Sequence, residues 1–197
     1  MRTLAPILAF FALGAVFITP MAQAKDVVYL SDLRFKPAGL RYVNGGYFDG
    51  IRVNGNQTID TMSGSQSYTW DAPIKVNGQA YDKGLLFHVV HDETVKATWT
   101  LNHRYKELTA MVGLDDTQDI AGIFPRVTVN FIGDQKTLGS ATIRSVYGKP
   151  NPTPSVDINI SGVNSLTVEV TMKGTGGGTN LDIVNPELQA VGDNNGQ

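Results

Sequence analysis

Residues 81–93, YDKGLLFHVVHDE, hold two of the chain's three histidines, His88 and His91, together with the acids Asp82, Asp92 and Glu93. Imidazole nitrogens and carboxylates are common zinc ligands, so the first chemistry to test is a metal-dependent site. On a helix His88 and His91 would share a face and could chelate one ion. The local residues oppose a helix, because Gly84 and the β-branched pair Val89-Val90 favour a strand. Strand residues alternate sides, so side chains three apart point to opposite faces and cannot share an ion. The H-E-x-x-H order that would supply a general base is absent, and so is the G-x-S-x-G elbow of serine hydrolases. A second acidic group, Asp115-Asp116 with Asp119, has the composition of a glycosidase acid pair, a calcium loop or an exposed acidic turn. No spacing specifies catalysis, and the chain is read as a non-enzyme.

The elements that must carry these residues are strands. Val95, Ala97, Trp99 and Leu101 alternate with Lys96, Thr98 and Thr100. The same period of two runs through Leu108, Ala110 and Val112, through Val127, Val129 and Phe131, and through Ala141 and Ile143. It continues in Val156, Ile158 and Ile160, then in Leu166, Val168, Val170 and Met172. Half-polar strands of this kind suit antiparallel sheets with one buried and one wet face. Turn-forming stretches at 133–136, GDQK, and 161–164, SGVN, punctuate them. The expected fold is all-β, an antiparallel β-sandwich, and no segment carries a helical stripe. Residues 34–71 break the pattern. They are rich in Gly and Asn and carry Phe35, Tyr42, Tyr47, Phe48, Tyr68 and Trp70, which reads as long loops with one or two short strands.

Residues 1–24 read as a signal peptide, with Arg2, an apolar stretch over 4–18, and Ala22-Gln23-Ala24 before Lys25. The domain is expected over 25–191, with a frayed tail at 192–197 and a secreted or periplasmic location. The absence of cysteine leaves neither a disulfide nor a lipidation site. A formal charge of −2 without a basic block points to no nucleic-acid partner, and no membrane segment is expected after cleavage of the leader.

Several stretches in order resemble the NPCBM family, carbohydrate-binding modules found attached to glycoside hydrolases. They are Tyr29-Leu30-Ser31-Asp32-Leu33, then Pro73 to Gly78 followed by Tyr81-Asp82-Lys83-Gly84-Leu85 and His88. Met111-Val112-Gly113-Leu114-Asp115-Asp116 comes next, then Gly122, Val127 to Phe131 with Gly133-Asp134, and Ser161-Gly162-Val163 with Leu166-Thr167-Val168. The resemblance implies a jelly-roll sandwich of the galactose-binding-like type, in which 27–33 pairs with 181–188. It also implies a loop-end site for galactose-type glycans, with His88 and Asp116 as hydroxyl partners and Trp70 or a tyrosine from 42–68 as the stacking face. A structural calcium ion is implied too, with Asp115, Asp116 and Asp119, or Asp182, as oxygen ligands and Glu187 added by analogy. The chain departs from the family at Leu86-Phe87, where bulk, Phe87 above all, is expected beside the site. It departs again at 179–185, TNLDIVN, which lacks the family's histidine and tryptophan. These departures favour an alternative, an exported structural or protein-interaction sandwich with a protein partner.

Overall fold

A computed structural model describes residues 27–39, 42–43, 47–48, 50–54, 57–58, 73–116, 125–145, 150–174 and 178–192. Sixteen strands are present among the described residues, of which β1 (Val28–Tyr29), β2 (Phe35–Ala38), β3 (Tyr42–Val43), β4 (Tyr47–Phe48), β5 (Gly50–Val53) and β6 (Gln57–Thr58) come first. A hairpin follows, β7 (Ile74–Val76) and β8 (Gln79–Tyr81), then β9 (Gly84–Val90), β10 (Thr94–Thr100) and β11 (Tyr105–Leu114). The remainder is β12 (Arg126–Gly133), β13 (Lys136–Arg144), β14 (Ser155–Asn159), β15 (Ser165–Lys173) and β16 (Gly178–Ala190). Among the described residues the only helix is a single 3₁₀ turn, Leu30–Asp32.

Two antiparallel sheets form the sandwich. One runs β14-β11-β16-β9-β5-β6, with β1 added on β16, and the other runs β13-β12-β15-β10-β2. The period-two pattern is what closes them on each other, since one side of every main strand is apolar. Val95, Ala97 and Trp99 of β10, Val127, Val129 and Phe131 of β12, and Val168, Val170 and Met172 of β15 meet Leu85, Phe87 and Val89 of β9 and Leu181 and Ile183 of β16 in one core. Trp99 is fully buried, donates its indole N–H to the Leu33 carbonyl at 3.3 Å and lies 5.0 Å from the Phe35 ring. The expected all-β antiparallel sandwich is therefore the fold observed.

The first and last strands meet over fewer residues than expected. Only Val28 and Tyr29 pair with β16, opposite Leu188 and Glu187, because the chain then turns into the 3₁₀ segment. The β7–β8 hairpin forms a small second core of its own on the outer side of the larger sheet, where Ile74, Val76 and Tyr81 cover Val184 and Met111. Its two-residue loop is Asn77-Gly78, both at positive φ (51° and 81°), the mirror-image turn that matches the twist of a hairpin.

The family-like motifs turn out to touch one another. Lys83 of the K-G-L segment ion-pairs with Asp32 of the opening segment at 2.7 Å and lies over the Tyr29 ring. Asn54 donates to the same Asp32 at 2.8 Å and accepts from the Gly84 N–H. Much of the motif pattern therefore records how separated strands are clamped together.

Candidate functional site

Alternation on β9 sends Leu85, Phe87 and Val89 into the core and leaves Leu86 and His88 on the outer face of the larger sheet. Strand register then builds a short grid there. Gly50, His88, Asn180 and Asp115 lie in one row, the last joined by its N–H to the Asn180 carbonyl at 3.1 Å. Arg52, Leu86, Asp182 and Gly113 form the next row.

His88 is half-buried, and its Nδ1 lies 2.6 Å from Asn180 Oδ1. An amide oxygen only accepts, so the ring donates from Nδ1, and neutral imidazole then offers Nε2 as an acceptor. Among the described residues Nε2 has no partner. Gly178 is what keeps that edge open, because a Cβ there would sit 3.0 Å from both Cε1 and Nε2 of the ring.

The acids divide into different tasks. Asp116 accepts the Gly78 N–H at 2.6 Å, and its own N–H bonds the Lys75 carbonyl. Asp115, almost fully buried, accepts the Lys75 N–H at 3.3 Å. Together they tie the β7–β8 hairpin to the end of β11. Gly113 permits this docking, since a Cβ on it would meet Val76 at 2.5 Å. Asp182 is fully buried, and neither of its carboxyl oxygens has a hydrogen-bond partner among the described residues. Burial pushes its carboxyl well above the usual carboxylate range; the neighbouring Asp115 adds to the shift and Arg52 opposes it.

Several expectations need revision or relocation. Phe87 does not stand beside His88; it points into the core and is fully buried, because it is one residue along a strand with period two. The bulk on the histidine's own face is Leu86. His91 belongs to the turn after β9, where it contacts Asp92 at 3.2 Å, so the two histidines are not joined in one site. Trp70 and Asp119 lie outside the described residues. Glu187 is exposed and sits opposite Thr109, six residues along β11 from Asp115, or about 20 Å at the usual strand rise. Among the described residues no group of three or more His, Cys, Asp or Glu is arranged to hold a metal ion. The described members of the expected calcium set therefore do not converge, Asp115 being close to Asp182 but not to Glu187. Asn180 and Arg52 were not anticipated; the polar-apolar alternation of TNLDIVN marks Asn180 and Asp182 as outward, but only strand register reveals their neighbours.

Comparison with known proteins bears on the fold as a whole. Among solved structures the chain is similar to CBM51 from Clostridium perfringens GH95, solved in complex with methyl-galactose, at 19% identity and a TM-score of 0.54, covering 83% of this chain and 99% of that one. It is also similar to the tandem CBM51 modules of Sp3GH98, a family 98 glycoside hydrolase from Streptococcus pneumoniae SP3-BS71. There the identity is 14% and the TM-score 0.54, with 84% of this chain and 47% of that one covered. A third similarity, at 13% identity and a TM-score of 0.54, is to CBM51-2 and INT domains from Clostridium perfringens ZmpB, of which the chain covers 32%. At these identities the likeness concerns the fold. No match is found among curated proteins. The family description NPCBM/NEW2 domain matches residues 26–188, most of the chain, and the protein thus belongs to the NPCBM/NEW2 domain family.

Proposed function

We propose that the protein is an exported, non-catalytic carbohydrate-binding module that takes galactose-type glycans on the outer face of the larger sheet, beside the loop end of β9 and β16 where His88 and Asn180 lie. The observation that carries this reading is the histidine itself. One ring nitrogen is fixed by Asn180 at 2.6 Å, and the other has no partner among the described residues, over the side-chain-free Gly178. A positioned acceptor of this kind suits a sugar hydroxyl, whose recognition needs fixed polar groups beside an apolar surface. Family membership supports carbohydrate binding, and the methyl-galactose in one structural neighbour supports the sugar class. Asp116, exposed at the hairpin, is the proposed second polar contact, and Trp70 the proposed stacking face. A structural calcium ion, if bound, would take Asp115 and Asp182 as oxygen ligands, the latter having both oxygens unpartnered among the described residues.

Titration with methyl-galactoside and a glycan array test the reading. The wild type is expected to bind galactose-type glycans, and His88→Ala to weaken binding about tenfold, the value of one lost hydrogen bond. The melting temperature should be unchanged, since the side chain is half-exposed. A wild type that binds no glycan would overturn the proposal and favour the second reading, a structural or protein-interaction sandwich. Leu86 supports that alternative: it fills the outer face next to His88 and is 2% exposed.

A further inference from the structure

The outer face of the five-stranded sheet has a composition that core formation does not require. Strand register sets Thr94, Thr171, Thr128 and Thr142 side by side on β10, β15, β12 and β13. They are linked as hydroxyl pairs, Thr94 to Thr171 at 2.9 Å and Thr128 to Thr142 at 3.1 Å. One step towards the strand ends lies a row of cations: Lys173 opposite Arg126, and Arg126 opposite Arg144, all exposed. Lys173 is offset by Asp92 at 3.5 Å, while neither arginine has an ion-pair partner among the described residues. Like charges directly opposite on adjacent strands are destabilising, so the fold carries this row at a cost. Further along, Lys96 is held by Glu169, which also accepts from Asn130 at 3.3 Å. The described outward strand positions thus carry Lys36, Lys96, Arg126, Arg144 and Lys173 against Glu169, with Asp92 of the adjoining turn beside Lys173, in a chain whose net charge is −2.

We propose that this face is a second binding surface, for a linear anionic polysaccharide. Its acid groups would pair with the Arg126–Arg144–Lys173 row, and its hydroxyls would bond the threonine rank beside it. Adjacent strands are about 4.8 Å apart. That spacing is comparable to the advance of one pyranose unit along an extended chain, so one cation per strand can meet one acid per sugar. Guanidinium groups favour this role because their planar fork matches carboxylate and sulfate in two-point contacts. A bilayer is the poorer partner, because the exposed large apolar residues among those described are Val27 and Val191, which flank β1 and β16 of the other sheet. The surface is also separate from the His88 site, which faces outward on the opposite layer.

The full chain is tested by affinity electrophoresis and calorimetry against polygalacturonate and heparin, with neutral dextran as the control polymer. Retention by both acidic polymers is expected, with dextran inert and binding falling steeply between about 50 and 200 mM salt. The double variant Arg126→Gln/Arg144→Gln should lose about tenfold or more in affinity while melting at or above the wild-type temperature, since it removes like-charge opposition. His88→Ala should leave acidic-polymer binding unchanged, which separates this surface from galactose-type binding. No binding to either acidic polymer overturns the proposal, and so does wild-type affinity in the double variant. Equal or tighter binding to phosphatidylglycerol vesicles or duplex DNA would overturn it in favour of a lipid or nucleic-acid surface.

Discussion

Asp182 shows how one residue can be required by neither the core nor the turns and still set a property of the protein. Its carboxyl is fully buried, without a hydrogen-bond partner among the described residues, beside Asp115 and with Arg52 as the opposing charge. Its folded-state proton affinity is raised, so the folded protein holds that proton at pH values where the unfolded chain has released it. The protonated form contributes its full stability below the ordinary aspartate value of about 3.9, and that contribution declines as pH rises through the raised folded value. In chelator-treated protein, Asp182→Asn is therefore expected to raise stability near neutral pH by about 1–2 kcal/mol and to flatten the fall in melting temperature with rising pH. Calcium reverses the sign if it binds here: it should raise the wild-type melting temperature and leave the variant unmoved. A variant that melts below wild type in chelator would show that the carboxyl has a partner worth keeping.

At the level of elements, the site is a product of register. Val127 to Phe131, Leu166 to Met172 and the other alternating stretches were legible because period two reads directly as a strand with one buried face. His88 and Asp116 were singled out from motif order alone. Which residues flank His88 was not, because Asn180 is ninety-two positions away and reaches it only through the β9–β16 pairing. The misplacement of Phe87 has the same origin: adjacency along a strand puts neighbours on opposite faces. The threonine rank and the row of cations were illegible for a parallel reason, since each strand contributes one member and only lateral alignment assembles them. Gly178→Ala tests the element-level account. The added methyl would press on the His88 ring at 3.0 Å, so glycan affinity should fall several-fold with little change in melting temperature. Unchanged affinity would mean the ring can shift without consequence for binding.

Across the whole molecule, the two layers are held by one cysteine-free core whose largest buried side chain is Trp99. Trp99→Ala should cost about 3–5 kcal/mol and lower the melting temperature by roughly 10 °C, which thermal unfolding would measure. A loss under about 1 kcal/mol would show that the strands around it close the gap. The position of β16 adds a consequence about time. This strand lies between β11 and β9 and also pairs with β1, yet it is synthesised after all of them. Until residue 190 is available, β14 and β11 cannot join β9, β5 and β6, and both β11 and β9 present open edges of the kind that invite mispairing. Pairing over such sequence separations also folds more slowly than local contacts would. Asn180 and Asp182 arrive with this same strand, so binding at the proposed His88 site would begin only when the sheet is complete, and capacity to bind there would become a measure of finished folding.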